Sequence, residues 1–209
     1  MQKILVLAPH TDDAELGCGA SLARFLEEGA EIHVAAFSVA RASLPNGADP
    51  NMLRNEFLAS MQVLGIPNTN VYVYDYEVRM LSYHRQEVLD DLIKLRSSIH
   101  PDLVFLPSGT DLHQDHQVVY NEGIRAYKNS SIWGYELPWN QLQFATQAFV
   151  TLKQHHIDKK WEMMTTYKSQ FQKKRPYFTK EFIEGLARVR GVQVNENYAE
   201  AFEIVRLKM

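Results

Sequence analysis

The apolar residues fall into two periodicities that alternate along the first two thirds of the chain. Residues 4–8 form an unbroken apolar run, the signature of a strand covered on both faces. Over 17–28, Leu22, Phe25 and Leu26 recur at helical spacing up to Gly29. Residues 32–37 read as a second strand, and Phe57, Leu58, Met61 and Leu64 predict a helix over 51–64 that Gly65 and Pro67 stop. A short strand over 71–74, an amphipathic helix over 85–99 ended by Pro101, a buried strand over 103–106 and a helix over 114–128 complete the series. This alternation implies an α/β fold, a doubly wound and mostly parallel sheet with helices on both faces and right-handed crossovers. Beyond Asn129 the pattern is looser: strands are expected at 133–137, 148–152 and 201–207, and helices at 156–167 and 180–190.

Composition narrows the class. A chain of 209 residues with 45% hydrophobic and 22% charged positions can bury one core, so a single domain over 1–209 is expected. A net charge of −3 and a pI near 6.2 argue against a nucleic-acid partner. The small basic clusters, Lys159-Lys160 and Lys173-Lys174-Arg175, are expected to be solvated faces. The single cysteine, Cys18, rules out an internal disulfide and fits a reducing, cytoplasmic compartment. The apolar run after Met1-Gln2-Lys3 is too short for a signal peptide or a membrane span.

In open parallel sheets, ligands bind outside the carboxyl ends of the strands. His10, Asp12 and Asp13 follow the first strand, and Asp111, His113, Asp115 and His116 follow the strand at 103–106. If those strands are neighbours, the two clusters meet, and two imidazoles with a carboxylate suit zinc. His113 and His116 share one helix face, so one could ligate while the other faces substrate. Taken singly, each group has a plainer reading: His-x-x-His is usually a surface feature, and Asp12-Asp13 could simply cap a helix. Cys18 fits a buried filler better than a nucleophile, Glu15 a supporting or capping group, and His155-His156 a solvent-exposed pair. The segment Gly17-Cys18-Gly19 lacks the third glycine of a dinucleotide loop, and the acids at 12, 13 and 15 would repel a pyrophosphate. The segment 38–50, with Pro45, Asn46, Gly47 and Asp49, is long enough to form a lip over a site and to shape specificity.

The run Leu7-Ala8-Pro9-His10-Thr11-Asp12-Asp13-Ala14-Glu15, followed by His113-Gln114-Asp115-His116, resembles the PIG-L/LmbE family of zinc-dependent N-deacetylases. Arg54-Asn55-Glu56, residues 99–104, Tyr167-Lys168-Ser169-Gln170 and residues 198–202 extend the likeness over most of the chain, most of all to its bacillithiol-type members. Thr11 and Gln114 stand where proline is usual. The resemblance implies a Rossmann-like, LmbE-like domain. It implies His10, Asp13 and His116 as metal ligands, Asp12 as general base, His113 as oxyanion stabiliser, and Arg54 and Asp75 as substrate contacts. Zn2+ is the implied cofactor, with Fe2+, Co2+ or Mn2+ compatible with the donor set. The implied substrate is a small N-acetylglucosamine-type amino sugar or conjugate, and the implied assembly a homo-oligomer, hexameric among some relatives. In that scheme zinc acidifies water, Asp12 takes its proton, a protonated His113 steadies the oxyanion, and Asp12 protonates the leaving amine. A same-fold amidase acting on another acyl amide, and a non-catalytic metal- or sugar-binding protein, are the competing readings. Tyr135, Trp139 and Tyr198 are candidates for a sugar-facing wall.

Overall fold

The computed structural model describes residues 2–45 and 47–208; Met1, Asn46 of the 38–50 loop and Met209 lie outside the described residues. Its elements run β1 (Lys3–His10), α1 (Asp13–Glu27), β2 (Glu31–Ser38), α2 (Met52–Leu64), β3 (Val71–Val73), α3 (Arg85–Ile99), β4 (Leu103–Pro107), α4 (Gln114–Ala126), β5 (Ser131–Tyr135), β6 (Ala148–Leu152), α5 (Gln154–Met164), α6 (Lys168–Phe171), α7 (Lys180–Val192) and β7 (Tyr198–Arg206). The strands make one sheet in the order β3-β2-β1-β4-β5-β7-β6. β1 to β5 pair in parallel, whereas β7 runs antiparallel to both β5 and β6. Because side chains alternate along a strand, Ile4, Val6 and Ala8 pack with α1, α2 and α5, while Leu5 and Leu7 pack with α3 and α4. Both faces are thereby covered, as the unbroken apolar runs require. Among the described residues no helix is long and apolar enough to cross a membrane.

The element boundaries differ from expectation where buried small or charged residues mislead the pattern. α1 starts at Asp13, not at 17, so Gly17 and Gly19 lie inside it. They are there for close approach: a Cβ on Gly17 would sit 2.6 Å from Cγ of the Tyr135 ring. β7 starts at Tyr198, three residues early, because Glu200 points inward. Its carboxylate accepts from Ser21 N at 2.7 Å, Ser21 Oγ at 2.6 Å and Lys160 Nζ at 2.6 Å, so the buried charge is fully paired. β5 spans Ser131–Tyr135 rather than 133–137, and α5 ends at Met164 before a separate short α6.

The Gly17 contact yields a stability prediction. Tyr135 is fully buried and its hydroxyl donates to Leu7 O at 3.1 Å, so its ring has no free direction of retreat. Gly17→Ala gains about 1 kcal/mol of helix propensity but forces overpacking that costs roughly 1–3 kcal/mol. A lower urea midpoint is expected; an unchanged or raised midpoint would mean that helix and sheet separate freely.

Candidate active site

β1 and β4 are parallel neighbours, with Ile4 beside Leu103 and Val6 beside Phe105, so their carboxyl ends open on the same sheet edge. That edge is also where the strand order reverses, the crevice that open α/β sheets use for ligands. His10 ends β1, and the chain turns through Thr11 and Asp12 straight into α1. Asp13 folds back at the helix start, its Oδ2 accepting from His10 N at 2.8 Å. On the β4 side the loop delivers His113 as N-cap of α4 and His116 within its first turn.

Three donor atoms converge. His10 Nδ1 lies 3.2 Å from Asp13 Oδ2, His116 Nε2 lies 3.3 Å from the same oxygen, and the two nitrogens are 3.2 Å apart. A tetrahedral ion with bonds of about 2.0–2.1 Å spans donor–donor edges of about 3.3 Å. The other nitrogen of each ring faces a carboxylate: His10 Nε2 meets Asp115 Oδ2 at 3.0 Å, and His116 Nδ1 meets Asp111 Oδ2 at 2.7 Å. With an ion in the triangle, each ring would give its N–H outward to its carboxylate and turn a lone pair inward, the usual arrangement around metal-bound imidazoles. The donor set fits a divalent ion. The electrostatics agree. Burial alone would raise the Asp13 pKa, but His116 and His10 outweigh it and hold it well below the usual carboxylate range. Burial alone would lower His116, yet Asp13 and Asp111 push it up to about 10, a sign that this triangle calls for positive charge.

His10, His113 and His116 also offer ligand atoms within 4.8 Å of one another. The tautomer separates His113 from the other two. Its Nδ1 accepts from Asp115 N at 3.2 Å, so its single ring proton sits on Nε2 and it presents a donor, not a lone pair. Burial, followed by the neighbouring His116 and His10, pushes its pKa down to about 4. His113 is thus a neutral donor at pH 7, where sequence reasoning expected a protonated ring. Asp12 occupies the N-cap position of α1, but its side chain makes no capping bond and lines the cavity instead. Burial and the adjacent Asp13 charge raise its pKa, so it retains affinity for a proton.

These groups line a cavity of about 250 Å³ whose far wall comes from the C-terminal third of the chain. Trp139 stacks on Tyr177 with centroids 3.8 Å apart and planes 10° from parallel, and Asn140, Gln170, Lys173 and Arg175 complete that wall. Ala40 and Ser43 from the 38–50 loop border the opening, so the expected lip does reach the site. Of the expected aromatic residues only Trp139 lines the cavity: Tyr135 is core, and Tyr198 bonds Gln154, Glu184 and Arg188 beside α7. Neither Arg54 nor Asp75 is among the lining residues; Asp75 is half exposed and pairs with Arg41 at 2.7 Å. Cys18 is a buried filler donating to Ala14 O at 3.3 Å, its thiol pKa raised by burial. Sequence reasoning placed Asp111 and Asp115 in the cluster without a role; the every-second-residue spacing of Asp111, His113 and Asp115 was the available sign. Tyr177 carried no such sign.

The expectation for His155-His156 fails in part. His155 is exposed, but His156 is buried, and both rings reach Glu27, at 2.6 and 2.9 Å. This second His/His/Glu group does not suit a metal. His156 Nδ1 accepts from Lys153 N at 3.0 Å, so its proton is on Nε2, the atom that faces Glu27. Ligation there would require an imidazolate, and the group instead ties α5 to the end of α1.

The PIG-L family model, described as GlcNAc-PI de-N-acetylase, matches residues 5–127. The "uncharacterized deacetylase YaiS" of Escherichia coli (strain K12) is 32% identical over 171 residues, covering 79% of this chain and 90% of that protein. The N,N'-diacetylchitobiose deacetylase of Pyrococcus horikoshii superposes with a TM-score of 0.80 at 21% identity, covering 98% of this chain and 84% of that one. GalB, the 4-carboxy-2-hydroxymuconate hydratase of Pseudomonas putida KT2440, does so with a TM-score of 0.82 at 20% identity, covering 100% and 98%. At those identities the two structures speak for the fold alone. With the family model spanning both histidine motifs and more than half of the sequence, this chain belongs to the PIG-L family of de-N-acetylases.

Proposed function

We propose that this protein is a zinc-dependent N-deacetylase that hydrolyses the acetamide of an N-acetylglucosamine-type amino sugar or sugar conjugate, releasing acetate and a free amine. The observation that carries the reading is the triangle of His10 Nδ1, Asp13 Oδ2 and His116 Nε2, with the outward ring nitrogens both engaged by acids. Three protein donors leave one position of a tetrahedral ion open, the arrangement of catalytic rather than structural sites. His10, Asp13 and His116 would hold a zinc ion there, and it would supply Lewis acidity and make a water nucleophile available near neutral pH. Fe2+, Co2+ and Mn2+ suit the same donors.

The protein's own groups handle protons and charge. Asp12, next to Asp13 and facing the cavity, accepts the proton of the attacking water. His113 donates from Nε2 to the oxyanion that grows on the acetamide carbonyl, and its neutral form suffices for that donation. Asp12 then returns its proton to the departing amine. The Trp139–Tyr177 plate, with Asn140 and Gln170, offers apolar and amide contacts of the kind a pyranose ring takes. Arg54, next in sequence to the lining residue Leu53, is the further candidate substrate contact, and Asp75, paired with Arg41 outside the lining, is the weaker one.

The reading is tested by acetate release from a panel of N-acetylated amino sugars, with and without chelator. Chelator-sensitive acetate is expected from at least one glucosamine derivative. A hydratase or a binding protein would release none, and an amidase of other acyl groups would favour a different acid. Asp12→Ala should keep near-normal metal content and lose most turnover. In the wild type, kcat/KM should fall as pH drops through the raised Asp12 pKa, so the acidic limb lies above the ordinary aspartate range of about 3.9. Full turnover in the variant, or a limb at or below that range, would remove Asp12 as base. His113→Ala should lose on the order of 10²–10³ in kcat, and His113→Gln, which keeps an N–H donor, should lose less. Equal loss in both would argue that the ring does something other than donate.

A further inference from the structure

Glu56 on α2 and Ser169 on α6 take no part in the chemistry proposed above, yet they are tied to each other and to a cavity-lining residue. The Glu56 carboxylate accepts from Ser169 N at 2.9 Å through Oε1 and from Ser169 Oγ at 2.5 Å through Oε2. Thr166 Oγ1, just before α6, adds a bond to Glu56 O at 3.1 Å. Ser169 N lies in the first turn of α6, where backbone donors have no partner within the helix. A single helical turn does not hold itself in place. The Glu56 bonds and the Tyr167 bond to Thr11 O therefore fix where α6 sits.

Of the α6 residues only Gln170 lines the cavity, and it is buried to 4% exposure. Its Nε2 donates to Ser169 Oγ at 3.3 Å. The direction of that bond follows from Glu56. Ser169 Oγ has one hydrogen, and a carboxylate only accepts. The hydrogen goes to Glu56, so Ser169 Oγ has only lone pairs left for Gln170. The carboxamide must turn its NH2 to Ser169, which leaves Oε1 as an acceptor. Among the described residues that oxygen takes no hydrogen bond.

We propose that Glu56 is a positioning residue: acting through Ser169, it holds the Gln170 carboxamide so that Oε1 accepts from a hydroxyl of the sugar ring. The inference rests on the deacetylase reading, which brings such a ring into the cavity. A buried acceptor left unpaired costs free energy that a substrate hydroxyl recovers. A free carboxamide would offer either end, whereas a fixed one selects a donor and lowers the ordering cost of binding.

The test uses the metal-loaded protein and methyl N-acetylglucosaminide, measuring acetate release and, by calorimetry, Kd. Ser169→Ala frees the carboxamide without removing a charge. It should raise KM and Kd roughly three- to tenfold, the range of one neutral hydrogen bond, with little change in kcat. Glu56→Gln should do the same, because its new amide donates to Ser169 Oγ and releases the hydroxyl hydrogen to Gln170 Oε1, reversing the carboxamide. Gln170→Met, which fills similar space, should show that loss too, and adding either other substitution to it should change KM and Kd no further. This non-additivity separates positioning from a general structural role and from the charge that Glu56 exerts on Lys173. Additive losses, or unchanged KM and Kd in Ser169→Ala and Glu56→Gln, overturn the proposal. An equal fall in kcat also overturns it, because α6 would then act on Asp12 through the Tyr167 bond to Thr11 O. Of the analogues lacking one ring hydroxyl in turn, one should bind the wild type and Gln170→Met alike; a gap that persists in all of them removes the hydroxyl as partner. If no sugar yields acetate, the deacetylase reading fails. The side-chain amide resonance of Gln170, assigned by its loss in Gln170→Met, then still decides the positioning: it should move in Ser169→Ala and Glu56→Gln, and an unmoved resonance overturns it.

Discussion

A neutral imidazole has one ring proton, and where that proton goes decides what each histidine of this site can do. With an ion in the triangle, Asp115 would accept the His10 N–H and Asp111 the His116 N–H, so both lone pairs would point inward. The Asp115 backbone N–H claims the Nδ1 lone pair of His113 and leaves that ring a donor. Three histidines with ring centroids only 4.6–5.1 Å apart are thus sorted into two candidate ligands and one hydrogen-bond donor by their outer partners alone. The same acids bind the site to its surroundings. Asp115 also accepts from Arg79 N at 2.6 Å and Leu81 N at 3.2 Å, which fixes the segment that brings Val78 to the cavity. Asp111 accepts from His113 N at 2.9 Å and from Asn140 Nδ2 at 3.3 Å, which fixes a residue of the far wall.

So many buried carboxylates around one cavity are tolerable only if each has donors or keeps its proton. Burial pushes Glu15, under the turn between β1 and α1, toward its protonated form. The Tyr167 hydroxyl contacts both Thr11 O and Glu15 Oε1 but has a single hydrogen. The hydroxyl donates to Glu15 Oε1 at 2.6 Å. Burial outweighs that contact and pushes the Glu15 pKa up to about 8. The Tyr167 hydroxyl, between Glu15 and Thr11 O, ties α6 to the peptide that precedes Asp12.

What was legible in the sequence follows from which interactions are local. β1 and β4 were legible because burial on both faces leaves unbroken apolar runs, and the meeting of the two polar clusters followed from strand adjacency. The start of α1 was not, since Gly17 and Gly19 look like helix breakers unless the Tyr135 ring and the Lys160 stem packed above them are known. The same holds for the start of β7, where the inward Glu200 hides the first three residues of the strand until Ser21 and Lys160 are seen to pair it. In the candidate site, residue types pointed to a metal, but the His113 tautomer depends on one backbone N–H. Likewise His156 looked like a surface residue because its partners, Lys153 N and Glu27, are a helix cap and a remote helix end.

The far wall was least legible, for a reason that bears on function. Every residue of the donor triangle and of the proposed proton chemistry lies between His10 and His116, inside the family match at 5–127. Trp139, Asn140, Gln170, Lys173, Arg175 and Tyr177 all lie beyond it, on turns and a single-turn helix that carry no apolar periodicity. The parallel half of the sheet can hold the reacting groups rigidly, because its strand ends are locked by neighbours on both sides. The wall rests on loops between the antiparallel edge and the helices, and there a change of side chain alters no ladder and no core position. The candidate reacting groups thus lie within the family match, and most of the far wall lies beyond it. A family signature can therefore identify the candidate reacting groups without constraining the wall that faces them, which residues 139–177 share with the border from Ala40, Ser43, Leu53 and Val78.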